Sequence, residues 1–193
     1  MGHMLSFYAD ELALAVLAGV PLAVTTTWLL HRFILHRASG PALHRMAVLD
    51  GLLIASILPF LYATLSRGYG IDRTLSLIPF AELSTSFGNV QVAFSEVTLL
   101  NVGGNMALLF FFGALLPLRS ERFGSLGRVL AVTALMSAGV EVLQFVLSVG
   151  RVSSVDDVLV NAAGGLLGAL STRPWWLSRR SSGETASAVS AAS

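Results

Sequence analysis

Cysteine is absent from the 193 residues, and with it go disulfides, iron–sulfur clusters and thiolate metal sites. Lysine is absent too: all twelve basic side chains are arginine, a bias we read as genomic rather than mechanistic. Charge of either sign is scarce, 12% of the chain against 54% hydrophobic residues, and the formal net charge is only +1. With no basic stripe, nothing is present to engage nucleic acid. There is no phosphate-cradling glycine loop and no Gly-x-Ser-x-Gly elbow. The histidines His31, His36 and His44 crowd one linker without further ligands, and no carboxylate spacing matches a Mg²⁺ or Ca²⁺ loop. No metal and no cofactor is therefore expected. What remains is a chain of mean hydropathy +0.75, too apolar for a water-soluble domain and suited to an integral membrane protein.

Five apolar segments of spanning length, or close to it, follow one another over residues 12–30, 46–65, 98–118, 129–149 and 155–172. The expected fold is an all-α bundle of five transmembrane helices in one membrane domain, residues 4–172. Met1-Gly2-His3 ahead of Met4 reads as an expression remnant, and the Ser/Ala-rich stretch 173–193 as a disordered cytoplasmic tail. The first segment has acidic residues before it (Asp10, Glu11) and arginines after it (Arg32, Arg37), which fits a retained helix better than a cleaved signal. Asp50 lies near Arg45 at a helix start, where a local pair with the helix dipole is the plain expectation. The long connection 66–97 carries the apolar run Leu75-Ser76-Leu77-Ile78-Pro79-Phe80, so a short interfacial or re-entrant element is expected there.

Arginine counting sets the orientation. With the N-terminus outside, nine arginines (Arg32, Arg37, Arg45, Arg119, Arg122, Arg128, Arg173, Arg179, Arg180) face the cytoplasm and three (Arg67, Arg73, Arg151) face out. That asymmetry is the positive-inside pattern of five spans with a cytoplasmic C-terminus.

Polar residues then fall into one layer. Asn101 and Asn105 share a face of the third segment; Ser137, Glu141 and Gln144 stripe the fourth; Asp157 and Asn161 share a face of the fifth, with Asp156 and Arg151 just before them. At 1.5 Å per residue, Asn105, Asn161 and Glu141 lie roughly 10, 9 and 12 Å inside the outer ends of their segments. Such groups should face one another, since lipid would leave them unpaired. Plainer readings stand beside the functional one. Ser154-Val155-Asp156-Asp157 fits a helix capping box, the asparagines fit interhelical hydrogen bonding, and Gly164-xxx-Gly168 is a packing signal.

The residues Leu77-Ile78-Pro79-Phe80, Asn101-Val-Gly-Gly-Asn105, Gly113-Ala-Leu-Leu-Pro117-Leu-Arg119, Ser137-xxx-Glu141-xx-Gln144 and Arg151-Val-Ser-Ser-Val-Asp156-Asp157-Val-Leu-Val-Asn161-xx-Gly164 together resemble the VanZ-like family of small bacterial membrane proteins. The resemblance covers roughly residues 75–172. It implies a multi-pass protein of the bacterial cytoplasmic membrane and a link to teicoplanin-type antibiotic resistance. Teicoplanin carries an acyl chain and cell-wall precursors a polyprenyl chain, so an outer-leaflet pocket for a lipid-like or lipidated ligand agrees with both lines of reasoning. In that reading Asn101, Asn105, Ser137, Gln144, Arg151 and Asn161 are ligand-binding. An enzyme acting on a lipid-linked substrate, with Glu141 as acid or base and Asp156 or Asp157 as partner, is the alternative; a scaffold subunit is the third.

Overall fold

The computed structural model describes residues 21, 24–29, 32, 41–65, 74–88 and 96–178. Residues 21 and 24–29 are helical, and the rest of the expected first span lies outside the described residues. In chain order the elements are helix α1 (Pro41–Leu65), strand β1 (Thr74–Ser76), short helix α2 (Ala81–Phe87), helix α3 (Glu96–Arg119), a 3₁₀ turn (Glu121–Phe123), helix α4 (Leu126–Leu147), strand β2 (Val152–Ser154) and helix α5 (Val155–Ser171). Residues 173–178, assigned to the tail by composition, are also helical.

The helix starts and stops follow local chemistry. Pro41 opens α1, where its missing N–H has no intrahelical acceptor to lose. Pro117 sits inside the last turn of α3 and does not end it; the helix runs on to Arg119. Helix α4 begins and ends a few residues earlier than expected. Ser148 takes a left-handed conformation (φ 51°), and its N–H bonds back to the Gln144 and Phe145 carbonyls. That reversal leads through Gly150 (φ 74°) into β2.

Strands β1 and β2 pair in parallel, Thr74 opposite Val152, Leu75 opposite Ser153 and Ser76 opposite Ser154. The all-α expectation thus acquires a two-stranded ribbon at one end of the bundle. The expected short element in the 66–97 connection takes the form of β1 followed by α2.

Packing centres on α3 and α5. A Cβ built on Gly164 would meet the Met106 carbonyl oxygen, and one on Gly168 the Phe110 carbonyl oxygen at 1.9 Å, so two backbones touch where any side chain would hold them apart. The Thr172 hydroxyl donates to the Ala114 carbonyl (2.9 Å) and closes the far end of this seam. Helices α1, α3 and α4 share an apolar cluster of Phe60, Leu109, Phe112, Leu116 and Val140. Asp50 is not paired locally. Arg119 donates from Nε to its Oδ1 (2.5 Å) and from Nη2 to its Oδ2 (3.0 Å), tying the end of α3 to α1. Among the described residues, three helices are long and apolar enough to cross a membrane: 44–62, 102–119 and 126–147. Helix α5, at 17 residues, is slightly shorter.

Candidate functional site

The polar residues meet at the end of the bundle where α4 runs into the ribbon and α5 begins. The junction is built from backbone donors. Ser154, the N-cap of α5, accepts from the Asp156 N–H with its hydroxyl (3.1 Å), an ordinary cap on the second helical residue rather than on the third as in a capping box. The reciprocal bond comes from elsewhere. In a capping box the third helical residue, here Asp157, would reach back to the Ser154 N–H. Instead Glu141 of α4 accepts that N–H on Oε2 (2.9 Å), while the Ser153 hydroxyl donates to the Glu141 carbonyl (3.0 Å). Glu141 is buried, as are Ser153 and Ser154.

Asp157 is thereby released to α3, where Asn105 donates to it from Nδ2 (2.9 Å). One turn deeper, Asn161 donates from Nδ2 to the Ser137 hydroxyl (2.8 Å), joining α5 to α4. Gln144 points the other way, donating from Nε2 to the Thr64 carbonyl at the end of α1 (2.6 Å). Five of the expected residues, Asn105, Asp157, Ser137, Asn161 and Gln144, therefore form interhelical hydrogen bonds. Asn101 lies in the first turns of α3, and its side chain is outside the described residues.

Asp156 has a different role. Its carboxylate accepts three backbone N–H groups of the 74–88 segment: Phe80 on Oδ1 (2.5 Å), Glu82 (2.9 Å) and Leu83 (3.0 Å) on Oδ2. It caps α2 across 73 or more positions of sequence and is itself almost fully buried. The segment so held brings Glu82 over the site. Its own N–H is bonded to Asp156, the residue before Asp157, and its Oε1 is buried. Glu82 was not among the residues the sequence singled out; a carboxylate in a long connection carries no periodicity to mark it.

Three buried oxygens, Glu82 Oε1, Gln144 Oε1 and Asn161 Oδ1, have no hydrogen-bond donor among the described residues. For both amides the donor half is already committed between helices, so what they still offer is an acceptor. No group of three or more His, Cys, Asp or Glu among the described residues is arranged to hold a metal ion. Along α3 and α5 runs an apolar groove of about 280 Å³, lined by Gly103, Met106, Ala107, Phe110, Phe111 and Leu167.

Long apolar helices sharing a layer of polar pairs, closed at one end by a ribbon and a short capped helix, describe a helical membrane protein. A family model described as VanZ/LLP1 matches residues 51–177, and the chain belongs to that family. Neither the curated proteins nor the solved structures yield a match.

Proposed function

We propose that the chain is a five-span protein of the bacterial cytoplasmic membrane, N-terminus outside, that binds the head region of a lipid-like or lipidated ligand at the outer end of its bundle. The observation that carries this reading is the set of three buried oxygens, Glu82 Oε1, Gln144 Oε1 and Asn161 Oδ1, that have no hydrogen-bond donor among the described residues. A purely structural layer has no need of buried acceptors left without donors; a polar head group supplies donors for them. The guanidinium of Arg151 suits a phosphate or carboxylate of the same ligand. Gln144 and Asn161 contribute acceptor oxygens, and Asn105 and Ser137 hold the frame. The apolar groove between α3 and α5 suits a hydrocarbon chain. Candidate ligands are cell-wall lipid precursors, phospholipids and lipoglycopeptide antibiotics, the last in keeping with a contribution to teicoplanin-type resistance. Residues 4–172 act as one membrane domain in this reading, followed by a cytoplasmic segment.

The alternative, an intramembrane enzyme on a lipid-linked substrate, is favoured by one feature: two carboxylates from different helices meet the start of α5, Glu141 on the Ser154 N–H and Asp157 in its first turn. Asp156, with three amides on its carboxylate, is removed from the acid–base role; Asp157 takes it.

Native mass spectrometry of gently solubilised protein tests the binding reading, with wild type beside Glu141→Gln and Arg151→Ala. Glutamine still accepts from the Ser154 N–H, so the first variant keeps its fold. Co-purifying lipid on the wild type and its loss from both variants is the expected result. An equal lipid complement on all three refutes it. Conversion of the retained lipid on incubation would move the assignment to the enzyme.

A further inference from the structure

We propose that the run Leu75–Phe80 is a hydrophobic wedge lying in the plane of the membrane, inserted into the lipid leaflet that borders the start of α5. The inference rests on the membrane reading of the bundle, not on the ligand reading of its site.

Four large apolar side chains within six residues are turned away from the protein: Leu75 is 51% exposed, Leu77 64%, Ile78 72% and Phe80 62%. Val152, on the strand paired with β1, extends the patch, and Phe87 at the end of α2 is exposed as well. No charged residue occurs between Arg73 and Glu82, and Glu82 is directed inward over the site. A contiguous apolar patch facing water is a liability that marks a contact surface.

Its position identifies the contact. Asp156 is the second residue of α5, and its carboxylate holds the N–H groups of Phe80, Glu82 and Leu83. The run therefore turns across the first turn of α5, at the level where the bundle passes from its polar end to its apolar flank. The exposed Leu159, one turn along α5, continues the same apolar exterior. Phe80 reaches its place through a left-handed backbone (φ 66°), which a bulky residue seldom adopts and which the three Asp156 bonds over-determine. The strained turn sets the aromatic ring outward at the interfacial level, where aromatic side chains are favoured. A short apolar segment with its polar side turned onto the protein is the geometry of an interfacial anchor. Hydrocarbon is the occupant that this continuity with the flank of a span requires.

The absence of cysteine makes the test direct. Leu77→Cys and Ile78→Cys, each labelled with a small fluorophore, are reconstituted in phosphatidylcholine–phosphatidylglycerol vesicles, with Glu121→Cys in the exposed link after α3 as the aqueous reference. Quenching by lipid bearing a doxyl group near the head should exceed quenching by iodide at positions 77 and 78 by about threefold or more, and the order should reverse at position 121. Iodide quenching at 77 and 78 equal to that at 121 would place the run in water and overturn the proposal. Protection from both quenchers would mean that protein covers it, from the same chain or a second copy, and would overturn it equally.

Discussion

Replacing Asp156 by Asn changes one atom at the point where three backbone amides converge. The aspartate presents an oxygen to Phe80 on one side and an oxygen shared by Glu82 and Leu83 on the other. The asparagine has one oxygen and one NH₂ group, so either arrangement sets a donor against a donor. The better one keeps Glu82 and Leu83, now on a neutral acceptor, and leaves the Phe80 N–H unpaired. Hydrogen bonds to a charged group contribute about 1.5–3 kcal/mol each, roughly twice the neutral value. Loss of one and weakening of two costs about 2–4 kcal/mol of docking free energy. Helix α2 has seven residues, too few to persist once its anchor is lost. The opening is therefore local. At tenfold per 1.4 kcal/mol, hydrogen exchange at the amides of residues 80–84 should accelerate about 30- to 700-fold. Exchange in α3, α4 and the body of α5 should stay as in the wild type. Mass-spectrometric hydrogen exchange on the detergent-solubilised protein reads both quantities. An acceleration below about threefold would refute the capping role, and faster exchange of the whole bundle would refute its locality.

Two further perturbations test how the helices are held. In Gly168→Ala the new Cβ starts 1.9 Å from the Phe110 carbonyl oxygen, whereas ordinary contact begins at 3.4 Å, so the α3–α5 seam must open by the difference, 1.5 Å. Overpacking of this kind costs about 1–3 kcal/mol; a lower unfolding midpoint followed by the fluorescence of the buried Trp176 is expected, and an unchanged midpoint would show that the seam yields freely. Gly127→Ala, with nothing near its Cβ, serves as the control. The Asp50–Arg119 pair is about one-third exposed on each side, so a double-mutant cycle (Asp50→Asn, Arg119→Gln) should give a coupling of only about 0.5–1 kcal/mol, shrinking as salt is raised. A coupling of several kcal/mol that ignores salt would mean the pair is far drier than its exposure implies.

The parts of this structure that the sequence made legible are those with a period. Residues four apart on one helix face had to turn inward together, and Asn105 meets Asp157 while Ser137 meets Asn161 for that reason. The spacing of Gly164 and Gly168 likewise marked the seam along α3. What stayed hidden depends on partners without side-chain patterns. Asp156 finds its donors in backbone N–H groups more than seventy positions away, which no residue identity announces. A three-residue strand has too few positions to show alternation, so β1 and β2 left no trace. Asp50 had a nearby arginine in sequence, Arg45, but the fold offered a bidentate one in Arg119, and geometry decided. The capping box of α5 was legible as a motif and misleading in detail, because Glu141 displaced Asp157 from the task.

The long reach of Asp156 has a consequence for biogenesis. The residues it caps leave the ribosome first, and the carboxylate follows 76 positions behind Phe80. At a synthesis rate of roughly 5–20 residues per second, α2 waits about 4–15 s for its anchor. Strand β1 waits for β2 over nearly the same interval, since Thr74 pairs with Val152. During that time the apolar run 75–80 has neither ribbon nor cap, and only insertion of the last helix completes them. The ribbon end of the bundle therefore assembles only after most of the chain is made, and a chain arrested before Ser153 carries every residue of the capped segment without the means to fold it.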